Sequence, residues 1–238
     1  MQQYFSPEPL AVGREYQFTK EQEHHARDVV RLHDDTIRLV YQGDAFFAKC
    51  TMENGKVRCI VTEADPRVNE LPFDVTLCMA LIRREKFELV LQKAAELGAT
   101  RIVPFVSSRC VVSSKAEREK KQNERYAQIL EEASRQCKRN RIPEILKPVA
   151  FEQLGEYREA CSLACYENAF GSARSISSCF AGDRSASIVI GPEGGFSPHE
   201  MDWLKNTGFT EITLGSRILR AETAAIYALS ILAERGIQ

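Results

Sequence analysis

Twice between residues 187 and 227 the chain runs from an apolar stretch into a glycine turn and then into a helical pattern. The first pass is Ser187-Ile188-Val189-Ile190, then Gly191-Pro192-Glu193-Gly194-Gly195-Phe196-Ser197. The second is Ile212-Thr213-Leu214, then Gly215-Ser216-Arg217-Ile218-Leu219-Arg220-Ala221-Glu222-Thr223. Strand, turn and helix in this order build parallel sheets, because parallel neighbours are joined by crossovers that are usually helical. Two such units lying side by side place two glycine loops at the carboxyl ends of parallel strands, where open α/β sheets bind ligands.

The same alternation extends upstream to Phe73. Asp74–Ala80 and Arg101–Val106 are predicted strands, and Ser162–Tyr166 is a third. Residues 86–97 form a predicted helix, with Phe87, Val90, Leu91 and Ala94 on one stripe and Gly98 as the stop. A longer helix over 117–138 carries Tyr126, Ile129, Leu130, Ala133 and Cys137 on its buried side. Ser197-Pro198-His199-Glu200 is a helix start, with Ser197 at the N-cap, Pro198 in the first helical position and Glu200 closing a capping box. The last helix spans about 221–235 and is apolar over much of its circumference, so it packs against more than one partner.

Residues 1–72 differ. Short strands at 36–41, 45–51 and 56–63 are separated by Gln42-Gly43-Asp44 and Glu53-Asn54-Gly55, which predicts a small β-barrel, with one helix near 20–32. Asp65-Pro66 and Leu71-Pro72 mark the exit, so two domains are expected, 1–72 and 73–238.

No run reaches the roughly 18 apolar residues of a membrane span, and residues 1–10 lack a secretory signal pattern. The eight cysteines form no C-x-x-C pair and predict free thiols in a reducing compartment, with no metal site. Charge is near balance, with 32 Lys/Arg against 33 Asp/Glu, but it is unevenly spread. Residues 101–148 hold twelve basic against six acidic side chains, a net of +6, while residues 1–72 hold nine against twelve, a net of −3. A basic segment of this kind is either a nucleic-acid face or a solvated helix surface.

The Gly191–Gly195 loop lacks dinucleotide-fingerprint spacing and the Lys-Ser/Thr of a phosphate loop. Its glycines permit unusual backbone conformations with amides and carbonyls open to a ligand, or simply a tight turn. Taken with its neighbours the pattern is more specific. Gly191-Pro192-Glu193-Gly194-Gly195-Phe196 is followed by Leu214-Gly215-x-Arg217-Ile218-Leu219-Arg220-x-Glu222-Thr223-Ala224. Upstream stand Gln92-Lys93-x-x-Glu96-Leu97-Gly98, Arg109, Glu132-Ala133-x-x-Gln136-x-x-Arg139 and Ile142-Pro143-Glu144. Together these resemble the ribosomal RNA small subunit methyltransferase E family of SPOUT-type enzymes, firmly over about 75–230 and loosely before that.

The resemblance implies an α/β C-terminal sheet tied in a deep trefoil knot, preceded by a PUA-like barrel. It implies S-adenosyl-L-methionine as cofactor, a homodimer in the cytoplasm, and methylation of N3 of one uridine in the 16S rRNA of the small ribosomal subunit. Main-chain groups of Ile190, Gly191, Pro192, Glu193, Gly194 and Gly195 would hold the cofactor, together with Leu214, Gly215, Ile218 and Leu219, and residues 162–167, with Tyr166 as the binding residue, would supply a third wall. Uracil N3 is a poor nucleophile until it loses its proton, and a fixed guanidinium would stabilise the resulting anion, a role assigned to Arg220; Glu222 is the second catalytic candidate, as a general base, or else caps the final helix. Arg220 would otherwise form a salt bridge with Glu222 or Glu193. His25, Arg31, Arg109, Arg135, Lys138, Arg139 and Arg141 are the expected RNA contacts. The chain departs from the family pattern at Gln3, Ser108, Lys138 and His33-Asp34-Asp35. A knotted methyltransferase acting on another RNA, and a non-catalytic RNA-binding assembly factor, are the alternatives.

Overall fold

The structure, a computed structural model, describes residues 1–110, 116–169 and 174–237, with backbone alone for 116–121. The chain divides into two compact units, Met1–Glu70 with Ser134–Arg141, and Leu71–Ala133 with Ile142–Gln238. The break after Glu70 lies close to the expected boundary. The return of residues 134–141 to the first unit was not expected.

The first unit is a five-stranded sheet in the order β1-β3-β4-β5-β2. Its strands are β1 (Gln3–Phe5), β2 (Glu15–Tyr16), β3 (Asp35–Tyr41), β4 (Asp44–Glu53) and β5 (Lys56–Asp65). The turns Gln42-Gly43 and Asn54-Gly55 have positive φ at both central residues, as a two-residue hairpin requires. The sheet encloses Tyr4, Ile37, Leu39, Ala48 and Val61. The expected helix over 20–32 is shorter: α1 (Lys20–His24) is followed by a π-helical turn, His25–Val29, and Arg31 at φ 59° ends it. The Asn54-Gly55 turn sets Cys50 opposite Cys59, and the two are joined as a disulfide. This corrects the expectation of eight free thiols; the other six lie outside any disulfide.

Residues 134–141 are fastened to this unit through Arg38, which is 1% exposed. Arg38 donates to Asp65 at 2.8 Å, to Gln3 at 2.8 Å, to Asn140 Oδ1 at 2.9 Å and to the Lys138 carbonyl at 3.0 Å. Bonds from Arg67 and Arg38 hold the Asp65 carboxyl far below its usual range against the opposing effect of its burial.

In the second unit β12 (Thr210–Ile212), β10 (Cys161–Cys165), β11 (Ser185–Ile190), β6 (Asp74–Ala80), β7 (Arg101–Val106) and β8 (Glu144–Ile145) form a parallel sheet in that order, and β9 (Val149–Ala150) also pairs with β7. Alternate residues face opposite sides. Val75, Leu77, Met79, Leu163 and Ile188 join a core with Phe87 and Leu91 of α2 (Arg84–Glu96), Leu130 of α3 (Ala116–Gln136), Ile176 of α4 (Ile176–Cys179), and Ala225, Ala228 and Leu232 of α6 (Ala221–Arg235). Cys78, Val103, Phe105 and Val189 face Phe151, Leu154, Phe196, Met201 and Leu204. Each fully buried Leu or Phe contributes about 1.5–3 kcal/mol, so both sheet faces are firmly covered and the ligand-sized opening falls at the strand ends.

Strands β11 and β12 are not neighbours. β10 lies between them, so the two glycine loops flank a third loop instead of touching side by side. The second strand also stops at Ile212, two residues early. The Thr213 hydroxyl donates to the Gly215 carbonyl at 3.1 Å and accepts from the Gly215 N–H at 3.1 Å, closing a local turn that ends the strand.

Candidate active site

Three loops leave the carboxyl ends of β10, β11 and β12 and line one cavity of about 460 Å³. From β11 come Ile190, Gly191, Pro192, Glu193, Gly194 and Gly195. After β12 come Leu214, Gly215, Ile218 and Leu219, together with Arg217 and Arg220. From β10 come Cys165, Tyr166, Glu167 and Asn168. Every residue expected to hold the cofactor therefore lines this cavity. Tyr166 was expected; Glu167 was missed as a side chain, because the sequence does not reveal that β10 is the central strand of the three.

The glycines have definite causes. Gly195 sits at φ +64°, and a Cβ there would fall 1.8 Å from Glu167 Oε1. Gly215 sits at φ +112° in open space, so conformation alone demands glycine there. A Cβ on Gly191 would press on the Phe196 ring at 3.1 Å.

The loop after β11 is pinned from below. α5 (Pro198–Asn206) begins with the expected capping box: the Glu200 N–H donates to Ser197 Oγ at 3.2 Å and the Ser197 N–H to Glu200 Oε2 at 2.8 Å. The other oxygen of Glu200 accepts from the Ser108 N–H at 3.0 Å and the Ser108 hydroxyl at 3.1 Å. Burial pushes the Glu200 carboxyl up, and these bonds outweigh it, leaving the group below its usual range. Arg109 Nη1 donates to the Gly194 carbonyl at 3.0 Å. Arg109, expected as an RNA contact, is thus bonded to the glycine loop, and Ser108, a departure from the family pattern, is the residue that meets Glu200.

Arg220 is exposed, lines the cavity and is the N-cap residue of α6 without a side-chain cap. Its guanidinium has no ion pair among the described residues. Glu222 is engaged elsewhere, with Oε1 at 3.3 Å from Lys86 Nζ, and Glu193 Oε1 accepts from the Arg83 N–H at 3.4 Å. Glu222 does not line the cavity, its side chain is 12% exposed, and its Oε2 is buried without a hydrogen-bond partner. Arg220 and Glu222 are therefore not brought together at the site, a correction to their pairing: residues two apart at a helix start point to different sides. Burial pushes the thiol of cavity-lining Cys165 well above its ordinary value.

The expected RNA contacts separate by burial. Arg31 and Arg141 are exposed, and Arg135 is half-buried. Lys138, half-buried, donates to the Arg135 carbonyl at 3.0 Å. His25 shares a hydrogen bond with Tyr4 at 3.0 Å. Arg139 is the clear correction: it is 3% exposed and its guanidinium is bonded to Glu70, so it cannot face a phosphate. Among the described residues no cluster of His, Cys, Asp or Glu could hold a metal, and no helix is long and apolar enough to cross a membrane.

Comparison with known proteins gives this arrangement its context. The sequence profile of an RNA methyltransferase domain matches residues 69–233. The ribosomal RNA small subunit methyltransferase E of Bacillus subtilis (strain 168) is 33% identical over 98% of this chain and 96% of its own length. The chain belongs to the ribosomal RNA small subunit methyltransferase E family. The family member from Neisseria gonorrhoeae, solved bound to S-adenosyl methionine, superposes with a TM-score of 0.88 at 27% identity over 99% of this chain and 98% of that one. A methyltransferase from Legionella pneumophila, solved with the bound cofactor SAM, has a TM-score of 0.88 at 30% identity over 98% of this chain and 97% of its own. Membership accounts for the run Arg217–Ala224 and for the α/β fold, and it makes this chain an RNA methyltransferase.

Proposed function

We propose that the chain transfers a methyl group from S-adenosyl-L-methionine to N3 of one uridine in 16S rRNA. The observation that carries this reading is the cavity at the ends of β10, β11 and β12, with Arg220 at its edge and free of ion pairs among the described residues. Its volume of about 460 Å³ lies within the roughly 300–1,000 Å³ of small-molecule sites, and its lining fits the cofactor. Glycine backbone and the apolar Leu214, Ile218 and Leu219 suit a flat base and thioether. The Neisseria and Legionella relatives are solved with the same ligand bound.

The loops at 190–195 and 214–219 hold the cofactor through main-chain groups, and Arg109 and Glu200 keep the first of them in place. When bound, S-adenosyl-L-methionine supplies a methyl group already activated on a sulfonium. Arg220 acts on the other partner. Its positive charge stabilises the uracil anion left when N3 gives up its proton to solvent water, and thereby raises the fraction of reactive base. Glu222, turned toward Lys86, sustains the start of α6 and takes no part in proton removal.

The finer features belong to the same reading: a trefoil-knotted C-terminal unit, a PUA-like first unit, a homodimer, and a cytoplasmic enzyme acting on the small ribosomal subunit. Exposed Arg31 and Arg141, with Arg135, offer the first unit's phosphate contacts. The decisive test incubates the protein and labelled cofactor with small subunits lacking this modification and maps methylated bases. The expected product is 3-methyluridine at a single position of 16S rRNA. A methyl group on another base or another RNA would overturn the target, and no transfer to any RNA would overturn the activity.

A further inference from the structure

The side chain least explained by the fold is Glu167. It is half-buried, lies on the loop after the central strand β10, and lines the cavity between the two glycine loops. Its carboxylate rests against Gly195, where a Cβ would fall 1.8 Å from Oε1. Yet it forms no hydrogen bond or ion pair among the described residues. The other carboxylate of the lining, Glu193, is exposed and accepts a bond from Arg83. An ionised carboxylate is an acceptor only, and holding one half-buried beside a positive-φ glycine costs free energy unless a donor meets it. Arg217 and Arg220 line the same cavity without pairing with it, so the described residues leave its two oxygens to a ligand.

We propose that Glu167 is a ligand-binding residue that accepts hydrogen bonds from the cofactor, and that Gly195 is glycine in part to let this carboxylate approach. This rests on the cofactor reading above. The shared chemistry is an O–H or N–H donor meeting a carboxylate. Two parts of the cofactor offer it: the vicinal hydroxyls of the ribose, and the ammonium of the amino-acid portion. A main-chain cradle for the base and apolar walls leave neither satisfied, so specificity for an adenosyl amino acid needs such an acceptor.

Calorimetric titration of the full chain with two probes tests this. S-adenosylhomocysteine carries both donors, whereas 5′-methylthioadenosine keeps the ribose and lacks the ammonium. Glu167→Ala and the isosteric Glu167→Gln are expected to unfold at the wild-type midpoint, because no protein bond is lost. Loss of a hydrogen bond to a charged group weakens binding about 10- to 100-fold. Equal weakening of both probes places the carboxylate on the ribose, and weakening of S-adenosylhomocysteine alone places it on the ammonium. Unchanged affinity for both probes in both variants, or a lowered unfolding midpoint with unchanged affinity, would overturn the proposal. Failure of the wild-type protein to bind S-adenosylhomocysteine at all would instead strike the cofactor reading on which it rests.

Discussion

Two arginine-bearing segments attract attention in the sequence, and the structure treats them in opposite ways. At 217–220 two guanidiniums sit on a loop after a strand, line a cavity and remain free of ion pairs among the described residues. At 135–141 the most family-like arginine, Arg139, is buried against Glu70, and the segment around it is bonded to Arg38, Asn69 and Gln3. In the proposed reading Arg217 and Arg220 keep their charge for a ligand, whereas Arg139 gives its charge to the fold. A count of basic residues does not distinguish these, because charge in a sequence becomes available charge only where no carboxylate or carbonyl has already claimed it.

The comparison breaks most readily at Arg38. Arg38→Ala leaves Asp65 buried and removes the tie to Lys138 and Asn140, which predicts a loss of about 3–5 kcal/mol in urea denaturation. A loss below about 1 kcal/mol would mean that residues 134–141 hold to the first unit by other means. The pH dependence has a defined sign. Asp65 is held below its ordinary value of 3.8 in the folded chain, so its stabilisation is fully present above that pH and is lost as the pH falls through the folded value. Glu200 has the same sign. Stability is expected to decline below about pH 4, less steeply in Asp65→Asn than in the wild-type protein; parallel acid limbs would contradict this. Ser197→Ala removes the cap under the glycine loop and costs about 1 kcal/mol, measurable as a lowered unfolding midpoint. The smallest effect separates the two kinds of arginine directly. Arg141→Ala is expected to reduce the salt slope of RNA binding by about 1, while Arg139→Ala lowers stability and leaves the slope of the folded protein unchanged.

Local chemistry was legible in the sequence wherever it depends on neighbours in the chain. Ser197, Pro198 and Glu200 declared the start of α5, and Asn54-Gly55 declared a hairpin whose register follows by counting outward from the turn. The same counting sets Cys50 opposite Cys59, a signal that was present and overlooked because spacing along the chain was judged without the fold-back. What depends on strand order was hidden. Nothing in the residues of β10 announces that it separates β11 from β12, so the loop bearing Glu167 was named as a wall without its carboxylate being singled out. The burial of Arg139 was equally hidden, since it requires Glu70 at the end of one unit to meet a segment about seventy residues later. The residues of the two backbone-rich, contiguous family motifs line one cavity. The motifs placed Glu222 beside Arg220 in sequence, although the first turn of α6 turns it toward Lys86.

The mechanism stands or falls on a division of labour within one cavity, in which loop backbone binds the cofactor and Arg220 acts on the base. The most direct measurement compares Arg220→Ala with the wild-type protein by two readouts, calorimetric affinity for S-adenosylhomocysteine and the single-turnover rate of methyl transfer to small subunits. Unchanged affinity with a rate lowered about 100- to 1,000-fold is the predicted result, the size expected for losing one group that stabilises developing negative charge. A wild-type rate, or a rate loss that simply follows lost cofactor affinity, would contradict it.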